Sequence, residues 1–150
     1  MNIVIRKQLF FIITLGILGL ALLVSTTWMH EQIQISAKRI NVEKLLTQSI
    51  IYFILFFLFG ILIELKQALK ALSGKIHLNK PLFIFSIALL AISLIPPIQW
   101  LTWYGFGSFK TPFSIFIKIM LSSDCHIAIS ILSGVLITKS ITKELQETAK

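Results

Sequence analysis

Charge is what this chain has least of. Of its 150 residues only 13% are Asp, Glu, Lys or Arg, against about 25% in soluble domains. That shortage excludes a water-exposed globular surface over most of the sequence. Cysteine occurs once, as Cys125, which excludes an internal disulfide and any paired-cysteine metal or redox motif. Arginine is confined to Arg6 and Arg39, and no basic block is interleaved with aromatic residues. The net charge of +8 therefore lacks the clustered patch that nucleic-acid binding requires, and no nucleic-acid partner is expected. Tyrosine is scarce as well, two residues against twelve Phe. A ring without a hydroxyl needs no hydrogen-bond partner, which suits contact with lipid.

What the chain has instead is apolar length. Hydrophobic residues make up 56% of it, the mean hydropathy is +0.89, and these residues fall in long runs. Runs of about 18 or more read as membrane spans. The expected fold is all-α, a polytopic membrane protein with four transmembrane helices in a single domain over 1–150, with spans at about 9–28, 45–65, 82–104 and 112–138. Arg6-Lys7 ahead of the first run resemble the start of a signal peptide. Its apolar core is long and no A-x-A site follows, so it is read as a retained helix. Gly16 and Gly19 leave a notch on it where a neighbouring helix can approach.

The second run continues as KQALKAL to Leu72, with Leu65, Leu69 and Leu72 on one face and Lys66 and Lys70 on the other. Ser73-Gly74 has the form of a helix stop, and Pro81 fits the first turn of the next helix. Pro96 and Pro97 interrupt the third run, because Pro97 keeps Pro96 out of helical geometry and neither ring carries an N–H. The interruption is either the end of the helix at the interface or a hinge, and the carbonyls it frees must face protein or water. Thr111-Pro112 supplies an N-cap and first-turn pair for the fourth run.

Basic residues set the orientation. Arg6, Lys7, Lys66, Lys70, Lys75, Lys80, Lys139, Lys143 and Lys150 fall on one side of a four-span layout; Lys38, Arg39, Lys44, Lys110 and Lys118 fall on the other. The richer side is expected to be cytoplasmic, which places both termini inside and external loops at 30–44 and 105–111. Trp28, Trp100, Trp103 and Tyr104 gather at the opposite ends of the spans, as an aromatic belt would. The expected location is a bacterial plasma membrane, with the lipid bilayer as first partner.

Chemistry-bearing residues concentrate in KIMLSSDCHIAIS, residues 118–130. On a continuous helix Ser114, Lys118, Ser122, His126 and Ser130 recur every four residues, with Cys125 and Ser133 in the same half-circle. Such a stripe is either a packing seam with hydrogen bonds across it or a polar pathway. Asp124 falls nearly opposite. It serves as a cap for a helix restarting at Cys125, as an interhelical partner, or in proton or solute transport. Lys118 is expected to snorkel to the head groups, with Asp124 deeper and facing protein. The candidate intramembrane polar site is thus Lys118, Ser122, Asp124 and His126, with Pro96 and Pro97 as the kink.

No metal or cofactor is expected, since Zn²⁺ needs three or four ligands and His30, His77 and Glu64 scatter in depth. No catalytic residues are assigned: HExxH, GxSxG, Walker A and GxGxxG are absent, and Cys125 and His126, adjacent on a helix, point about 100° apart.

Two stretches, ILIELKQALKALSGK and AISILSGVLITKSITKELQE, resemble a family of small bacterial four-helix membrane proteins of unknown function. Members typically end in a helix emerging from the fourth span with an acidic finish. Leu145-Gln146-Glu147 match that ending, Thr148-Ala149-Lys150 depart from it, and the second cytoplasmic loop is shorter than usual. Family members are often encoded beside a small Cro-type regulator, so the resemblance implies a regulatory setting and no particular chemistry. The expected function is that of a non-enzymatic accessory or regulatory protein working through contacts with other membrane proteins or copies of itself. The alternative is a small transporter or channel subunit that uses the polar stripe of the fourth span.

Overall fold

The computed structural model describes residues 3–72, 78–104 and 113–141. The expected stop at Ser73-Gly74, the Thr111-Pro112 start, the loop at 105–111 and the Leu145-Gln146-Glu147 ending lie outside them. Seven helices and no strand occur among the described residues: α1 (Ile3–Lys38), α2 (Val42–Ile63), α3 (Leu65–Leu72), α4 (Lys80–Leu94), α5 (Pro97–Tyr104), α6 (Phe113–Met120) and α7 (Ser123–Ile141). Three stretches are long and apolar enough to cross a bilayer, Phe10–Lys38, Val42–Ile63 and Ser123–Ile141. The chain is a helical, membrane-embedded protein. α4 is apolar but has 15 residues, about 22 Å at 1.5 Å per residue, short of the ~30 Å hydrocarbon core on its own.

The first helix departs from expectation. It does not end near Trp28 but runs to Lys38, so most of the expected external loop at 30–44 is helix. Its last turns carry polar residues, which read as loop in isolation, yet they have a tertiary partner. Ser36 is buried and its Oγ donates to Gln48 Oε1 of α2 at 2.6 Å. The chain then reverses over Arg39–Asn41. Ile40 takes a left-handed φ of 53°, and Asn41 Oδ1 caps α2 by accepting from the Lys44 N–H at 3.1 Å.

α2 and α3 form nearly one helix, as the KQALKAL continuation implies, with a one-residue irregularity at Glu64 whose carbonyl still accepts from the N–H groups of Gln67 and Ala68. Lys66 Nζ lies 5.9 Å from the Phe11 ring centroid. α4 starts with Pro81 in its first turn and Asn79 as its cap. Asn79 also ties this start to the end of α7, its N–H donating to Ser140 O at 2.7 Å.

The last described helix sits in the middle. α7 packs along both α2 and α4, while α1 packs along α2. What lets three helices meet so closely is the small-residue content of α7: Ser130, Ser133, Gly134 and Ser140 are all buried. Gly60 of α2 meets Gly134 backbone to backbone. A Cβ on Gly60 would overlap the Ile131 carbonyl, and one on Gly134 would overlap that of Phe57. The α1 notch is used by half, with Gly19 facing Leu62 and Gly16 facing open space. Only 6% of the α1 span is buried, so outside the stripe that packs along α2 its surface is left for lipid or another protein.

Candidate functional site

The fourth run is not one helix. α6 ends at Met120 and α7 begins at Ser123, which splits the expected stripe between two elements. Ser114 and Lys118 belong to α6, Ser122 to the break, and His126, Ser130 and Ser133 to α7. Neither Pro nor Gly causes this break. Ser122-Ser123-Asp124 are residues whose side chains compete for backbone partners and favour helix starts. The helix restarts at Ser123, two residues before Cys125, and Asp124 stands in its first turn, where a negative charge is favoured.

The structure does not gather the four candidate residues into one cluster. Lys118, Ser122 and Asp124 are exposed, whereas His126 is wholly buried. Asp124 is exposed at the start of α7, where it borders a cavity lined by residues of α1, α2 and α5. Cys125 is half-buried and free.

His126 lies between two helix breaks, with a ring nitrogen beside an orphaned carbonyl of each. In an unbroken helix, Ser93 O would accept from the N–H of residue 97, but residue 97 is proline and has none. His126 Nδ1 lies 3.0 Å from that carbonyl. In an unbroken fourth helix, Met120 O would accept from the N–H of residue 124, which instead opens a new helix. His126 Nε2 lies 2.7 Å from that carbonyl. A neutral imidazole donates to one of these acceptors; the doubly protonated ring donates to both. Phe53 of α2 covers the ring, stacked with centroids 5.2 Å apart at 29°. Ile92 O, robbed of its partner by Pro96, is met by the Ile95 N–H at 3.3 Å.

Below this clasp the polar side chains of α7 turn inward on their own helix. Ser130 Oγ donates to His126 O at 2.7 Å, Ser133 Oγ to Ser130 O at 2.8 Å and Ser140 Oγ to Ile137 O at 2.7 Å. On α4, Ser86 and Ser93 do the same toward Phe83 O and Leu90 O. Along this seam the hydroxyls of Ser130, Ser133 and Ser140 bond within α7, whereas the expectation was of bonds across to neighbouring helices. A serine satisfied this way presents a small, internally saturated surface on which another backbone can close.

Against the clasp lies a cavity of about 340 Å³ bounded by α1, α2, the start of α5 and the start of α7. Pro96, Pro97 and Asp124 line it together with Phe53, whose ring stacks on that of His126. On the other side, the His30 and Tyr52 rings face each other at 6.0 Å, and the Gln34 amide donates to His30 Nε2 at 3.2 Å. Comparison with protein-family models, curated proteins and solved structures finds no match to this chain. Among the described residues no group of three or more His, Cys, Asp or Glu is placed to hold a metal ion.

The sequence marks His126 and the proline pair separately and does not show that one serves the other. The available signal is the count of backbone donors: consecutive prolines orphan two carbonyls, and a histidine in an apolar run is a donor that can reach one. His30, Gln34 and Tyr52 carry no such signal, because their convergence depends on α1 continuing past Trp28.

Proposed function

We propose that the chain is a four-span bundle with both termini in the cytoplasm of a bacterial cell, acting as a non-enzymatic accessory or regulatory protein through helix–helix contacts. α4 and α5 together form the third span in this reading, and α6 with α7 the fourth. The observation that carries it is the division of surfaces. The polar residues of α7 are consumed inside the bundle, while α1 offers Phe10, Ile13, Ile17, Leu20 and Val24 outward over most of its length. A transport route along the seam would have to pass the backbone contact of Gly60 with Gly134. The basic-residue asymmetry supports the orientation, and the likeness to small four-helix proteins encoded beside regulators supports the regulatory setting.

Two measurements test the reading, one in native membranes and one on the purified protein. A photo-crosslinking residue at Ile17 should give a discrete protein adduct in native membranes, a dimer or a heterologous partner. Reconstituted liposomes should show no proton or ion flux above empty controls. Lipid adducts alone from Ile17, together with flux that Asp124→Asn abolishes, would transfer the protein to the transporter class.

A further inference from the structure

We propose that the cavity between α1, α2, α5 and α7 binds the ammonium group of an amphiphile, with Asp124 as its counter-charge and the Tyr52 ring as its wall. Among the residues that line it, Asp124 is the sole carboxylate, and neither Lys nor Arg is present. No hydrogen bond or ion pair engages the Asp124 side chain among the described residues, and Tyr52 lines the same cavity. An anion would be repelled there. A neutral apolar guest would strip water from the carboxylate and return nothing to it. A cation satisfies the carboxylate and also gains from an aromatic face within about 6 Å.

The remaining walls select the body that carries the cation. Ile33, Leu45, Ile98 and Ile127 are apolar, so they accept carbon and not hydrated metal ions, which would need several more oxygen ligands. The volume of about 340 Å³ lies at the low end for small-molecule sites, enough for a head group and the first part of a chain but not for a whole lipid. Depth agrees. α7 has 19 residues, about 28 Å of helix. Within a fourth span whose outer end is α6, its first turn therefore stands near one edge of a ~30 Å hydrocarbon layer, with α6 continuing into the head-group level. Amine head groups occupy that level. The ammonium group comes either from a phosphatidylethanolamine or from a soluble alkylamine, and binding of either is independent of any protein partner.

Native mass spectrometry of the full chain released from dodecyl maltoside tests this, with dioleoyl phosphatidylethanolamine, dioleoyl phosphatidylglycerol and octylammonium as probes. Retention of phosphatidylethanolamine about tenfold above phosphatidylglycerol, the scale of one good cation–ring contact, supports the lipid source. Octylammonium bound without that lipid preference supports the soluble source. Asp124→Asn should erase either signal. Tyr52→Phe, which keeps the ring, should preserve it, and Tyr52→Leu should weaken it several-fold. Thermal unfolding of each variant separates lost binding from lost fold, and the Tyr52 pair decides the question if Asp124→Asn does not fold. Equal retention of both lipids with no octylammonium bound, or a preference that survives both Asp124→Asn and Tyr52→Leu in folded protein, overturns the assignment.

Discussion

Replacing His126 by Phe isolates the clasp. Phenylalanine keeps an aromatic ring of similar bulk beside Phe53, so no large cavity opens, but it donates no hydrogen bond to Ser93 O or Met120 O. Both carbonyls then lie in the bundle interior without the imidazole N–H that faced them. A buried acceptor left without its partner costs about 1–3 kcal/mol, while measured hydrogen bonds between helices in lipid average about 0.6 and reach about 1.7 kcal/mol. Two acceptors therefore set the expected loss at about 2–4 kcal/mol, the lower end if the neutral ring was serving only one. For a chain of this length that lowers Tm by roughly 5–15 °C, measurable by thermal unfolding in detergent. The assignment of the loss to orphaned carbonyls has its own control. Replacing Pro96 and Pro97 together by alanine returns N–H groups to the α4–α5 junction, lets residue 97 bond Ser93 O, and should reduce the cost of His126→Phe by about 1 kcal/mol. A Tm for His126→Phe within 1 °C of the wild type, or strict additivity with the double alanine variant, would refute the reasoning.

At the α2–α7 crossing, Gly60→Ala and Gly134→Ala each set a methyl against a backbone carbonyl and should each destabilise by about 1–3 kcal/mol, read as a lower Tm. Conversely, Ile40→Gly should stabilise by about 0.5–1 kcal/mol, because a β-branched residue at φ 53° bears a left-handed penalty of about 1–2 kcal/mol that exceeds the backbone entropy cost of glycine; an unchanged or lower Tm would contradict this. In a Cys125→Ser background, Ile40→Cys in the exposed α1–α2 turn should label with an impermeant thiol reagent from outside the cell and Leu78→Cys should not, the reverse pattern overturning the orientation.

Local backbone chemistry was readable in the sequence, and tertiary placement was not. Pro81 in a first turn and a helix that cannot pass Pro96-Pro97 follow from rings that lack an N–H, a property each proline carries wherever it lies. The length of α1 was hidden because His30, Gln34 and Ser36 look like loop residues until Gln48 is known to sit opposite Ser36. The break before Ser123 was half visible. The Ser-Ser-Asp triplet has capping character, but the regular four-residue recurrence from Ser114 to Ser130 argued for continuity, and the triplet prevailed. Close approach at α7 was written in its serines and Gly134, yet small residues do not say which neighbours will use them. The setting of Asp124 was hidden for a related reason. A helical wheel puts it on the side away from His126 and Ser130, but what that side meets depends on α1 and α5, which the wheel does not contain.

That α7 lies between α2 and α4 constrains how the protein is made. When the ribosome has delivered residue 97, Ser93 O has already lost its own helix's donor, and the donor that replaces it, His126, lies 33 residues beyond Ser93 and so is still about 29 residues away. At synthesis rates of about 5–20 residues per second, that interval is roughly 1.5–6 s. Throughout it, α1 and α2 can pair, but α4 has its buried serine face and one orphaned carbonyl turned toward whatever the insertion machinery or the lipid interface supplies. The bundle closes from the centre outward, and the residue that seals it arrives with the last span.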